Sequence, residues 1–253
     1  MTATPAGMTY ADYLRLGDLL GAQRPKSDLH DEMLFIVIHQ TKELWLKQML
    51  HEVALATSLV REDRFAEAYK ALSRVSRIQA VMTMSWDVLA TMTPVDYAAF
   101  RDELGRSSGF QSAQFRELEY RLGIKDPKFL DYHEGGEEGQ VRLRAALAEP
   151  SLWEEANAAL ARAGFAIGDS EQVRASWLAV YRDPDTHFDL YQLAEKLVDI
   201  DDALAGWRHK HVLTVTRIIG GKMGTGGSSG AAYLESTLTK RAFPELWALR
   251  TEL

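Results

Sequence analysis

The chain has 253 residues, 46% of them apolar and 26% charged, which suits a soluble globular protein with a real core, as one large domain or two small ones. A formal net charge of −7 without any basic block gives no footprint for nucleic acid or an anionic membrane surface. Cysteine is absent, which excludes disulfides, thiol nucleophiles, Cys-ligated zinc, iron–sulfur clusters and thiolate-ligated haem, so a metal has to be held by His, Asp, Glu or Tyr.

In chain order, residues 1–8 carry neither a basic n-region nor an apolar h-region. They are expected to be disordered, in a cytoplasmic protein, ahead of a single domain over 9–253. Glycine and proline then punctuate stretches of 3.6-residue periodicity. These predict helices over Tyr10–Leu20, His30–Val60, Arg64–Ala90, Pro94–Leu104, Ser112–Leu122, Glu138–Leu147, Ser151–Ala163, Ser170–Tyr181, His187–Ile219 and Pro244–Thr251. Gly17 weakens the first, and Glu134–Gly139 reads as a surface loop. No alternating run argues for a strand, and no apolar run of 18 residues exists to span a bilayer. The expected fold is all-α, a helical bundle with several long helices around a pocket.

Three stretches stand apart from this pattern. Leu34-Phe35-Ile36-Val37-Ile38 places five apolar residues in a row, so the helix is expected to be buried on every side just before His39. Phe35 and His39 share a face; His39 is either a hydrogen-bonded core histidine or a functional one. In Thr93-Pro94-Val95-Asp96-Tyr97, Thr93 is the N-cap and Pro94 the first helical residue. Tyr97 and Arg101 then lie four apart and offer a phenol and a guanidinium to one carboxylate, or are merely a solvated arginine packed on a ring. Last, Trp207-Arg208-His209-Lys210-His211 sits in a long helix that runs into Gly220–Gly230, glycine at six of eleven positions. That is a mobile loop rich in backbone N–H groups, able to wrap a ligand, but no phosphate-loop pattern fits it.

The seven histidines (30, 39, 51, 133, 187, 209 and 211) include no H-E-x-x-H and none three residues after a glutamate. That removes the zinc-protease helix and the di-iron bundle. His209 and His211 point in different directions on a helix and cannot chelate one metal, yet either can be an axial ligand.

Taken together, these stretches resemble the tryptophan 2,3-dioxygenase family from about Tyr10 to Trp247. The resemblance rests on Tyr10-Ala11-Asp12-Tyr13-Leu14, His30-Asp31-Glu32, Phe35-Ile36-Val37-Ile38-His39-Gln40-Thr41, Glu43-Leu44-Trp45 and Phe100-Arg101. It continues through Ser108-Gly109-Phe110-Gln111-Ser112, Trp207-Arg208, His211-Val212, Gly224-Thr225-Gly226-Gly227-Ser228-Ser229-Gly230, Tyr233-Leu234 and Phe243-Pro244-Glu245-Leu246-Trp247. It implies one haem b per subunit and insertion of both atoms of O₂ across the indole C2–C3 bond of L-tryptophan, giving N-formyl-L-kynurenine. His211 matches the proximal iron ligand and His39 the distal histidine beside the indole N–H. Phe35 matches the residue packed on the indole, within a pocket wall of Phe35, Ile36, Val37 and Ile38. Tyr97 and Arg101 match the carboxylate contacts, Thr225 the threonine that closes on the amino acid, and Trp86 a haem-edge tryptophan. The family is a homotetramer, a dimer of dimers whose N-terminal segment, here Tyr10, Tyr13 and Leu14, lines the neighbour's pocket.

Two positions depart from the family's pattern. Ile38 stands where a polar residue is more usual, and Ala113 where a larger aliphatic one is. Relatives in secondary metabolism mono-oxygenate tryptophans or tyrosine, with oxindole formation as one outcome, and the sequence leaves that alternative open. A non-catalytic haem carrier fits less well, since it has no need of the Tyr97–Arg101 pair.

Overall fold

A computed structural model describes residues 7–132 and 136–253, and every regular element among them is helical. Two five-residue helices, α1 (Tyr10–Leu14) and α2 (Leu16–Leu20), replace the single helix expected there. The break is at Arg15, which takes a left-handed φ of 51°, and not at Gly17. Thr9 and Asp12 cap the start of α1 reciprocally, while the Arg15 guanidinium crosses the break to Asp18, Nε to Oδ2 2.7 Å.

The long helices fall where the periodicity puts them: α3 (His30–Arg61) and α4 (Phe65–Leu89), with a third near the C-terminus. Next, α5 (Pro94–Phe100) starts on a capping box between Thr93 and Asp96 with Pro94 in its first turn. The helix expected to reach Leu104 changes at Arg101 into a 3₁₀ turn, Arg101–Leu104. A second 3₁₀ turn, Gly109–Gln111, leads into α6 (Ala113–Leu122), and a third covers Pro127–Tyr132. Of the expected surface loop, residues 134 and 135 lie outside the described residues, whereas Gly136 already begins α7 (Gly136–Ala148). Its two glutamates in the first turn favour the positive helix end, which offsets the two helical glycines. There follow α8 (Leu152–Arg162), α9 (Ser170–Arg182), α10 (Phe188–Ile219), α11 (Ala231–Glu235) and α12 (Pro244–Ala248), the last ending in a 3₁₀ turn. α11 was not expected; it is a single turn opened by Gly230 at φ 63°.

α4 lies between α3 and α10, and α6 and α8 close over α3. The main core is largely aliphatic, with Val53, Ala56 and Val60 of α3, Leu72 and Val75 of α4, and Leu193, Leu197 and Ile200 of α10 fully buried, and it also takes in Trp153, Trp177 and Phe243. Burial of this kind is worth ~25 cal/mol per Å² and holds the three long helices together. A second, smaller core (Ile38, Trp86, Leu89, Met92, Phe100 and Ile218) backs the pocket described below.

Two polar anchors fix the C-terminal segment. The buried Asp201 carboxylate accepts from Ala242 N, Phe243 N and Trp247 Nε1 at 3.0–3.3 Å. Buried Arg208 reaches Glu119 at 2.7 Å and the Lys240 carbonyl at 2.9 Å, and Arg116 bonds the same Glu119. No helix among the described residues is long and apolar enough to cross a membrane.

Candidate active site

Two imidazoles define the site. His39 lies one turn beyond Phe35 on α3, with ring centroids 4.1 Å apart, and its Nδ1 meets the Phe35 carbonyl at 2.7 Å. A carbonyl only accepts, so Nδ1 carries the proton and Nε2 is left as an acceptor. Burial pushes His39 down to about 4, against the raising effect of that hydrogen bond and with Lys42 adding to the depression, so the ring is neutral at pH 7. His211, on α10, is held down to about 3 by burial first and then by Lys42 and His39, which makes the two histidines electrostatic neighbours. The Trp86 ring stacks on His211 at 4.2 Å, and Trp207 leans on both at 5.4 and 5.2 Å. His211 has no hydrogen-bond partner among the described residues, whereas exposed His209 turns away and meets the Ala205 carbonyl at 2.9 Å.

An aromatic wall joins this centre to a polar cleft. Phe35 contacts Tyr97 and Phe100 at 5.9 and 5.7 Å, and those two rings meet edge-on at 5.5 Å. Burial raises the Tyr97 phenol, and the positive charge of Arg101 lowers it in turn. A cleft of about 330 Å³ is lined by Arg101, Asp102, Gly105, Gly224 and Thr225. Arg101 donates to the Met223 carbonyl, and the Thr225 hydroxyl donates to the Ser107 carbonyl.

The glycine-rich segment is tied down more than its composition suggests. Gly224 N and Ser228 O close a turn at 3.0 Å, and Gly227 N meets Gly224 O at 3.1 Å. A Cβ at Gly226 would lie 2.6 Å from the Ser108 Cβ, so only glycine lets this loop rest on the Ser108–Ser112 turn. Gly226 therefore serves close approach and not only freedom.

The expected residues do not all converge. Phe35, His39, Trp86, Tyr97 and His211 come together, and Arg101 and Thr225 share the cleft. Ile38 faces the second core, so the departure from a polar residue falls on the wall behind the pocket. The expectation that α3 is buried on every side here fails at Val37, which is 37% exposed. It continues a row of exposed apolar residues, Met33 and Leu44 on α3, beside Trp45. Ile36 is half-buried. Tyr10 and Tyr13 are 76% and 74% exposed and touch none of the pocket in this single chain. Ala113 packs beside Tyr120, Leu143 and Ala146, in a small cluster separate from the second core that backs the pocket.

Three neighbours carry no assigned role from the sequence. Phe100 completes the aromatic wall, and Trp207 stacks on Phe115 at 5.0 Å beside His211. Lys42 is the unexpected one: its Nζ lies 2.8 Å from the Trp86 ring centroid, buried, with no hydrogen-bond partner. Burial brings that amine down to about 6. The signal was present, since Ile38, Lys42, Leu46, Met49 and Val53 form one buried row at spacings of four, four, three and four.

Fold and site together define a helical small-molecule enzyme pocket, with a neutral histidine pair behind an aromatic wall and a cation at its mouth. The sequence agrees with the tryptophan 2,3-dioxygenase family over residues 1–165 and 155–253. Tryptophan 2,3-dioxygenase of Caulobacter vibrioides is 62% identical, over 97% of this chain and 98% of that protein. Those of Bacillus thuringiensis and Ralstonia pickettii are 51% and 50% identical, each over 97% of this chain and 93% of theirs. The chain belongs to the tryptophan 2,3-dioxygenase family.

Proposed function

We propose that this protein is a haem-dependent dioxygenase that cleaves the indole C2–C3 bond of L-tryptophan with O₂ to give N-formyl-L-kynurenine. The observation that carries this reading is the joint placement of a neutral His39–His211 pair, the Phe35 wall and the Arg101–Thr225 cleft in a chain 62% identical to a tryptophan 2,3-dioxygenase.

The donor set fits haem. No group of three His, Asp or Glu side chains suited to a metal exists among the described residues, whereas one neutral, unpartnered imidazole suits a cofactor that brings its own four nitrogens. His211 would hold the iron, with Trp86 against the edge of the site. When bound, haem supplies the activation of O₂; the protein supplies orientation and polarity. Phe35 packs the indole, and His39 Nε2 accepts the indole N–H, the task its Nδ1 bond leaves it. Arg101 offers a bidentate fork to the substrate carboxylate and Tyr97 adds its phenol. In this reading Arg101 exchanges the Met223 carbonyl for the substrate, and Thr225 closes on the amino acid. Ile36, Val37 and Ile38 complete the α3 wall.

The assembly we assign is a homotetramer whose N-terminal segment reaches the neighbouring active site. In support, α1 exposes Tyr10, Tyr13 and Leu14 on one five-residue helix too short to be stable alone, and α4 exposes Val81, Met84 and Val88 in one row.

The test is to mix reduced protein with L-tryptophan and ¹⁸O₂ and weigh the product. N-formyl-L-kynurenine carrying two labelled atoms is expected. An oxindole carrying one would replace this reading with the mono-oxygenase, and reversible O₂ uptake without product would replace it with a carrier.

A further inference from the structure

Around the two imidazoles, three buried donors have no acceptor: Lys42 Nζ and the indole N–H groups of Trp86 and Trp207. Trp86 links them, with the Lys42 nitrogen 2.8 Å from its ring centroid and the two indoles 5.4 Å apart. All three are donors; Gln79 Oε1, an unpartnered neutral acceptor that lines a small cavity with Trp207, bonds none of them, and no carboxylate of the chain pairs with Lys42 among the described residues. An indole face attracts an ammonium but does not replace the hydrogen bonds that it loses on leaving water. Fully buried lysines without a partner are rare because the charge has nowhere to go. The missing complement is an acceptor, anionic by preference, on the Trp86–His211 side of the site. The substrate's carboxylate is already provided for on the other side, by Arg101 in the cleft it shares with Thr225.

We propose that Lys42 is a haem-anchoring residue whose Nζ pairs with a propionate carboxylate of the cofactor. The inference rests on the haem reading above. It gives the porphyrin a polar fastening on α3 in addition to the His211 ligand on α10, so the two long helices that flank α4 each hold the same cofactor. The lowered position of the empty amine agrees with this, since a carboxylate partner restores the charge that burial removes.

The test compares haem with haem dimethyl ester, which keeps the iron and ring but has no propionate charge. Haem-free wild type and Lys42→Met are titrated with each and followed by the Soret band. Wild type is expected to bind haem more tightly than Lys42→Met by roughly 10- to 100-fold, the range for a hydrogen bond to a charged group, while the two proteins bind the ester within about 2-fold of one another. Lys42→Gln, polar but uncharged, is expected to follow Lys42→Met and guards against a folding defect in the first variant. Equal haem affinity in wild type and variants overturns the Lys42 assignment and leaves the haem reading standing. A loss of the same size for haem and ester also overturns it, because the lysine then only supports Trp86. A wild type that develops no Soret band overturns the haem reading itself, and the anchor with it.

Discussion

His39 is fixed in one tautomer by a backbone carbonyl one turn away, and this decides what its free nitrogen offers. An acceptor that is not protonated at pH 7 positions an indole N–H without taking the proton, because an indole N–H is a very weak acid. His39→Ala is therefore expected to lower kcat/KM for tryptophan by roughly 2- to 150-fold, the cost of a neutral hydrogen bond or of an N–H left buried and unpaired. With 1-methyl-tryptophan, which has no N–H, the variant should narrow the gap between the substrates because it makes room for the methyl group. Complete loss of turnover with both substrates, with haem and O₂ binding intact, would show that His39 is an obligatory base. Arg101→Ala removes one side of a charge-assisted pair, worth ~2–5 kcal/mol, and should cost on the order of 30-fold or more in kcat/KM. Tryptamine, which lacks the carboxylate, should barely distinguish the variant from wild type; an equal loss would make Arg101 a support of the Met223 loop. These residues were legible because spacing put each pair on one helix face and the ordered motifs supplied the roles. For Lys42 the buried row of α3 signalled a position in the core, but only the tertiary approach of Trp86 shows where its amine goes.

At the scale of elements, the long helices were legible in the sequence because they bury continuous apolar rows, with Thr93 and Ser151 marking starts by capping boxes. The breaks were less so. Arg15 carries no signal for a left-handed conformation, whereas Gly17 does and is helical. α11 is a single turn after a glycine-rich loop, too short for any periodicity. In the proposed tetramer α1 is the element whose role depends most on a second subunit, since its exposed tyrosines have nothing to pack on in one chain. Deleting residues 1–15 should weaken assembly in sedimentation and raise the Michaelis constant for tryptophan; a truncated protein with an unchanged constant would remove this segment from the pocket. The C-terminal segment behaves differently, because Asp201 holds it from within the chain. Asp201→Ala leaves three donors without their acceptor, two of them backbone. At ~1–3 kcal/mol for each group left buried, softened by relaxation, thermal unfolding should shift down by roughly 5–15 °C. A shift under about 2 °C would mean that water replaces the carboxylate without loss.

The whole molecule carries its two pocket histidines neutral, and this ties its stability to pH. The free imidazole titrates near ~6.5, whereas folding holds His39 at about 4 and His211 at about 3. Between those limits the unfolded chain binds protons that the folded one refuses. Stability therefore falls as pH drops from ~6.5 toward ~4, and the histidine contribution levels off once both states are protonated. Carboxylates act in the same direction but lower on the scale. Glu32, for example, sits below the usual glutamate range because bonds from Lys26 and Ser27 outweigh its burial. The stretch from about pH 6.5 to 5 thus belongs to the imidazoles and, in its upper part, also to Lys42, whose amine burial brings down to about 6. In haem-free protein, the thermal midpoint should decline across that stretch, and His39→Ala should decline less steeply because one of the two refused protons is gone. Haem should flatten the upper part of the curve, since a metal ligand is a deprotonated imidazole and iron competes with the proton for His211. Parallel curves for wild type and His39→Ala would show that folding leaves His39 near the free imidazole value. The burial that holds its ring neutral would then fail together with the pH dependence.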